Sequence, residues 1–199
     1  GGQIRLTTSR YYTPSGRCIQ KPYNDGLQAY YNDIMNRYNE KELMDPAKVQ
    51  VPDSLKYYTD NKRVVYGGGG IMPDVFVPID TTKATTFYIN CNRKATQMRF
   101  AQAMFDKYRG TLSGIDDFGR LERYLEEIDL GSQFLDYASR VDGLKPEKGE
   151  WEETAPYMMP QLKALVGRFS KLDNEAFYRF YLPIDDTIKA ALENPSVVD

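Results

Sequence analysis

Histidine, the side chain most often used to move a proton near neutral pH, is absent from all 199 residues. That one absence excludes Ser-His-Asp and Cys-His catalysis, imidazole-ligated zinc and an imidazole pH switch. The groups left with chemical potential are carboxylate doublets, two thiols, a glycine run and many tyrosines. Asp116-Asp117, Glu126-Glu127 and Asp185-Asp186 have the residue type for acid/base pairs. Adjacent positions, however, do not share a helix face. First-turn capping accounts for the first and third doublets, and a solvated surface for the second. Cys18 and Cys91 cannot build a four-cysteine metal site and form no Cys-x-x-Cys motif. They read as two free thiols, with a single long-loop disulfide as the alternative.

Gly67-Gly-Gly-Gly70 is not followed by Gly-Lys-Ser/Thr, and Ile71-Met72-Pro73 cannot open the helix that a phosphate loop needs. A turn with close backbone approach explains it better. None of the eight serines lies in a Gly-x-Ser-x-Gly elbow. The 16 tyrosines, with doublets at 11–12, 30–31 and 57–58, could stack on bases or sugars, but no basic stripe accompanies them. Core and interface packing is their expected use. Residue chemistry alone therefore yields no catalytic, cofactor-binding or metal-ligating residue.

The elements that would position such groups fall into two halves, meeting near residue 80. Gln3 to Thr13 alternates Ile4, Leu6 and Thr8 against Arg5, Thr7 and Ser9, the period of a strand with one buried face. Pro14-Ser15-Gly16 is turn chemistry, and an extended run resumes to Gln20. Residues 54–59 and 62–66 predict a hairpin turning at Asp60-Asn61, and Asp74 to Pro78 a last short strand. Leu27 to Met44 predicts a surface helix packed on the sheet through Leu27, Tyr30, Tyr31, Ile34, Met35 and Tyr38. These pieces bury little by themselves, so residues 1–80 are expected to be the rear of a larger domain.

Residues 81–199 predict helix after helix. Phe87, Cys91, Ala95, Met98, Ala101, Phe105, Tyr108 and Leu112 mark one long helix with a single stripe, ending at Gly110 to Gly114. Asp116 or Asp117 caps the next, with Phe118, Leu121, Leu125 and Ile128 inward. Gly131-Ser132 starts a third, with Phe134, Leu135, Ala138 and Val141 inward. Asp142 to Glu153 reads as a charged loop. Pro160 then stands in the first turn of a fourth helix, with Leu162, Leu165, Val166 and Phe169 inward. Asp173 or Asn174 opens a fifth, and Ile184, Ile188, Ala191 and Leu192 a closing amphipathic one. Such a half can bury its own core. The expected class is α+β: short, mostly antiparallel strands, then an all-helical domain. With 26 basic and 28 acidic side chains, the chain lacks the cationic surplus that nucleic acid demands. No apolar run reaches the roughly 18 residues of a membrane span.

Two segments are more specific. Leu6-Thr-Thr-Ser-Arg-Tyr-Tyr-Thr-Pro-Ser-Gly-Arg-Cys-Ile-Gln20 resembles the Thr-Thr-x-x-Tyr-Tyr-Thr-Pro-Ser-Gly-Arg-x-Ile-Gln signature of the C-terminal processing (tail-specific) peptidases, with Cys18 where Ser is common. Gly70-Ile-Met-Pro-Asp-Val75 resembles the Gly-Ile-x-Pro-Asp motif that follows it in that family. There the two motifs nearly abut, so residues 21–69 look like an insertion. The resemblance covers residues 4–20 and 70–78, and more loosely 160–192.

The resemblance implies a serine endopeptidase that trims protein C-termini, with peptide or protein substrates and no cofactor. Its nucleophile would be a Ser and its base a Lys, which is effective only if burial leaves the amine neutral. In the family both residues precede the Thr-Pro-Ser-Gly motif, as does a substrate-gating PDZ domain. No residue of this chain matches the dyad, and Ser9, Ser15 and Lys21 belong to the scaffold. The chain is accordingly expected to be the C-terminal part of an exported, periplasmic enzyme and inactive alone. Residues 1–80 would end the peptidase core, and 81–199 would form the helical domain. The alternative is a non-catalytic interaction or homodimerisation module built on the helices.

Overall fold

The computed structural model of the chain describes residues 2–6, 8–21, 26–39, 44–45, 53–68, 70–80 and 84–195. It is an α+β protein whose C-terminal region is helical, and it divides into two units, Gly1–Ile79 and Asp80–Asp199.

In the first unit the only regular sheet among the described residues is a two-stranded ribbon. Strand β1 (Lys56–Tyr58) pairs antiparallel with β2 (Val64–Tyr66), and Tyr57 faces Val65. The hairpin stands where the sequence places it, but its connection is longer than Asp60-Asn61. Thr59 N–H donates to Arg63 O at 3.0 Å, Lys62 N–H donates to Thr59 O at 2.8 Å, and Lys62 sits at φ 59°. This is the pattern of a three-residue loop, whose last residue takes the left-handed conformation. Residues 53–55 form a turn of 3-10 helix, which takes Ser54 and Leu55 out of the expected strand.

Among the described residues of 3–13 the expected strand does not form. Tyr12 makes one isolated antiparallel bridge with Cys18, and Ile4 and Leu6 are 95% and 76% exposed. A strand needs a neighbour for its backbone groups, and beyond the short pairing of Tyr11, Tyr12 and Thr13 with Arg17, Cys18 and Ile19 none of the described residues supplies one. Asp74 to Pro78 likewise forms no strand: Asp74 and Val75 bend, and Phe76 to Pro78 are irregular. Helix α1 (Gly26–Asn39) is present; of its expected inward residues Leu27, Tyr31 and Met35 are exposed, Tyr30 is half-buried, and the side chains of Ile34 and Tyr38 lie outside the description. Residues 40–43 of that expected helix lie outside the described residues. None of the described residues of this unit is buried.

The second unit closes a core. Its helices are α2 (Thr86–Arg93), α3 (Thr96–Leu112), α4 (Phe118–Glu127), α5 (Leu130–Asp142), α6 (Glu150–Gly167), α7 (Asn174–Tyr181) and α8 (Asp186–Glu193). Phe100, Phe134, Leu121, Leu125, Met158, Leu162 and Val166 are fully buried. The Phe100 and Phe134 rings meet edge-on at 5.2 Å, an arrangement aromatic quadrupoles favour. Gly167 lets α6 approach α7: a Cβ there would stand 3.3 Å from Ala176 Cβ.

The single long helix expected from Phe87 to Leu112 is two helices. The chain breaks at Lys94-Ala95, with Ala95 at φ 51°, ψ 37°. Beyond the break the buried face departs from the expected stripe, although Ala101 and Leu112 remain inward. Thr96, Gln97, Phe100, Ala101 and Met104 turn inward, while Ala95 and Met98 are exposed. The cause is Asp142 at the end of α5. It accepts from Thr96 Oγ1 at 2.7 Å and from Arg99 Nη2 with both oxygens, and its carbonyl accepts from Lys94 Nζ at 2.9 Å.

Helix α6 begins at Glu150, well before Pro160, so the expected loop ends earlier and both Pro156 and Pro160 lie inside the helix. Acidic side chains at 150, 152 and 153 suit the positive helix start. Glu150 also accepts from the backbone N–H of Phe87 at 2.7 Å and of Glu147 at 2.8 Å. The carbonyls deprived of helical donors belong to Glu152 and Pro156, both exposed residues, so water can serve them.

Other starts follow side-chain capping. Asp117 accepts from Arg120 N–H at 2.8 Å, as expected. Asp129, not Gly131-Ser132, caps α5, accepting from Ser132 N–H at 3.2 Å. Asp173 stands at the start of α7 without a side-chain cap. Val141, Ala191 and Leu192, expected inward, are exposed, and α8 buries no residue.

Candidate functional site

The two signature segments lie in the first unit, and the hairpin between them in sequence holds them both. Thr13-Pro-Ser-Gly16 turns by the same hydrogen bonds as the hairpin loop. Thr13 N–H donates to Arg17 O at 2.9 Å, and Gly16 N–H donates to Thr13 O at 2.8 Å with Gly16 at φ 79°. Glycine fits that left-handed position without a Cβ clash. The Thr13 and Ser15 hydroxyls share a hydrogen bond of 2.9 Å.

Arg17 then reaches the ribbon, donating from Nη1 to Tyr66 O at 3.2 Å. Its Nε is buried and has no hydrogen-bond partner. Gly67 N–H donates to Leu55 O at 2.9 Å, and Gly68 N–H to Cys18 O at 3.4 Å. A Cβ on Gly67 would meet Tyr57 Cε2 at 2.9 Å and Arg17 Cγ at 3.1 Å. Gly67 and Gly68 are thus close-approach positions, as the sequence suggested, whereas nothing stands within 4 Å of a Cβ on Gly70 and Gly69 lies outside the described residues. Downstream, Asp74 of the second segment is ion-paired with Arg63 of the hairpin.

Among the described residues no hydrogen bond joins a lysine amine to a serine hydroxyl. Serine activation by lysine needs the amine within hydrogen-bond reach of the hydroxyl. Ser15 is engaged with Thr13, Lys21 Nζ lies 2.5 Å from Asp33, and Lys56 Nζ lies 2.5 Å from Asp53. Ser9 is exposed in a bend. In the helical unit, Asp185 accepts from the backbone N–H groups of Thr187 and Ile188 at 2.9 and 3.2 Å, and Glu126 pairs with Lys163 at 3.0 Å. The doublets do structural work there.

Both cysteines are free thiols, Cys18 half-buried and Cys91 buried. Burial, with Asp142 nearby, pushes the Cys91 thiol up to about 12, which removes it from nucleophilic chemistry. Among the described residues no cluster of Cys, Asp and Glu could hold a metal ion, and no helix is long and apolar enough to cross a membrane.

Sequence reasoning missed the Arg99–Asp142 pair, whose members stand 43 residues apart with no local pattern joining them. It also missed the contact of Arg17 with Tyr66, although Arg17 is part of the signature. No protein-family model, curated protein or solved structure matches the chain.

Proposed function

We propose that the chain is the C-terminal portion of a serine endopeptidase of the C-terminal processing type, acting on protein or peptide C-termini in the periplasm. Its Ser/Lys dyad and PDZ domain would lie N-terminal to Gly1. The observation that carries this reading is the fifteen-residue segment Leu6–Gln20, followed in order by Gly70–Val75. Exposed apolar side chains support it. Ile4, Leu6, Tyr11, Leu27, Tyr31 and Ile71 are each more than half exposed, and the described residues of this unit include none that is buried. In this reading they complete a core together with preceding strands. The signature segments serve as framework, and the chain alone cannot acylate.

A fluorophosphonate probe tests this. It should leave the 199-residue chain unlabelled, and should label a longer polypeptide carrying the preceding segment at a single upstream serine. Stoichiometric labelling of any of the chain's eight serines overturns the proposal, as does a longer polypeptide with no reactive serine.

A second reading is favoured by the helical unit's closed core together with the apolar residues it leaves outside, Met98 at 60% and Leu192 at 77% exposed. On this reading the helices form a dimerisation module. Sedimentation velocity of the full chain across a hundredfold concentration range should then show a dimer, and a strict monomer removes the reading.

A further inference from the structure

The break between α2 and α3 turns on one residue. Ala95 stands at the start of α3 at φ 51°, ψ 37° and gives that helix no side-chain cap. Alanine is the strongest helix former, and a left-handed backbone penalises any residue that carries a Cβ. No Gly or Pro lies between Thr86 and Arg109 to favour a turn. The local sequence therefore prefers one continuous helix, the one its apolar spacing describes, and tertiary contacts hold it bent. A short hinge under such strain invites exchange of the flanking element between copies.

The contacts of α2 permit that exchange. The Phe87 ring meets Phe134 and Trp151 edge-on at 6.2 and 6.3 Å. Its backbone N–H donates to Glu150 at 2.7 Å, the Thr85 and Thr154 hydroxyls meet at 2.6 Å, and Gln161 donates to Tyr88 Oη at 2.8 Å. Each of these partners belongs to α5 or α6, beyond the hinge in sequence. An α2 from a second copy would meet the same partners in the same geometry and bury the same Phe87 and Cys91. What straightening gives up is local: the bonds from Gln97 to Asn92, from Arg99 to Lys94 O and from Lys94 to Asp142 O. The Asp142 carboxylate keeps Thr96 and Arg99 in either arrangement, since both follow the turning residue. The first N–H groups of α3 gain carbonyl acceptors in α2.

We propose that two copies of this chain exchange α2. The bend at Lys94-Ala95 opens into one helix running from Thr86 through α3, and each copy's Phe87 fills the site on α5 and α6 of the other. The occupant is a second copy because that site is already shaped to this helix, side chain by side chain. The inference rests on the dimerisation reading of the helices and names the element that the dimer shares. It uses no part of the peptidase reading.

The test mixes two forms of the full chain, both Cys18→Ser, one with Thr85→Cys and the other with Thr154→Cys. Neither form can join these positions within itself. Unfolded together in guanidinium, refolded at high concentration and oxidised, they should yield a disulfide-bonded heterodimer linked between positions 85 and 154. Ala95→Gly in both should cut that yield about tenfold, because glycine tolerates the bend and weakens the straight helix. Ala95→Val should raise it, since a β-branched residue tolerates the left-handed backbone least. Should a cysteine variant fail to fold, sedimentation of the two Ala95 variants alone reads the same effect. The glycine dimer should dissociate about a hundredfold more readily than the valine dimer, with two hinges in each. A dimer that gives no such heterodimer from folded chains, or that is indifferent to residue 95, overturns the exchange and leaves dimerisation standing. Strict monomers overturn both.

Discussion

Arg17 Nη1 donates to the carbonyl oxygen of Tyr66 at 3.2 Å, across 49 residues of chain. The contact ties the Thr-Pro-Ser-Gly-Arg turn to the last residue of the hairpin, immediately before the glycine run. The segment that separates the two signatures in sequence therefore also joins them in space, with Arg63–Asp74 closing the far side.

Arg17→Ala should loosen this junction by about 1 kcal/mol, the net worth of one hydrogen bond. Amide exchange at Gly67 and Gly68 should quicken roughly fivefold. Gly68→Ala should do more harm, because Gly68 sits at φ +88° and a Cβ would stand 2.7 Å from Leu55 Cδ1. Unchanged exchange in both variants would show that the junction is not held in solution.

Lys62 occupies the hairpin position that Gly16 fills in the signature turn. Lys62→Gly should relieve its left-handed strain and steady the hairpin by about 0.5–1 kcal/mol. Slower exchange of the Thr59 amide would report it, and faster exchange would refute it.

Asp142 should make the helical unit acid-sensitive. Hydrogen bonds from Arg99 and then Thr96 hold its carboxyl below the ordinary value. A depressed folded pKa gives stability that is fully present above the unfolded carboxylate value near 4 and is lost as pH falls through the lower folded one. Thermal melts should show this loss below about pH 4. Asp142→Asn should be less stable by about 1–2 kcal/mol at pH 7 and should have a flatter acid limb.

The thiols should react in two classes. Cys91 is fully buried, with its pKa raised to about 12. At pH 8 a disulfide reagent should therefore titrate one thiol per native chain, at Cys18, and both in guanidinium. Two fast thiols in the native chain would mean that the core around Cys91 opens.

Local signals were legible in the sequence. Asp117, Asp185 and the Thr13–Gly16 turn act through neighbours two or three residues away, so residue type and order determined them. The hairpin followed from alternation and turn chemistry, and the α+β class from the change of period near residue 80. The absence of histidine bounded the chemistry before any fold was known.

Long-range contacts decided the rest. Ala95 reads as one more member of an unbroken stripe, whereas Asp142, brought in by α5, gathers Lys94, Thr96 and Arg99 where the helix breaks. Pro160 read as a helix start because sequence shows a missing N–H. It does not show that Glu150 would bind the Phe87 backbone and begin the helix earlier. Ile4 to Thr8 kept its strand pattern without becoming a strand, since alternation specifies a face to bury while only a neighbouring strand can satisfy the backbone.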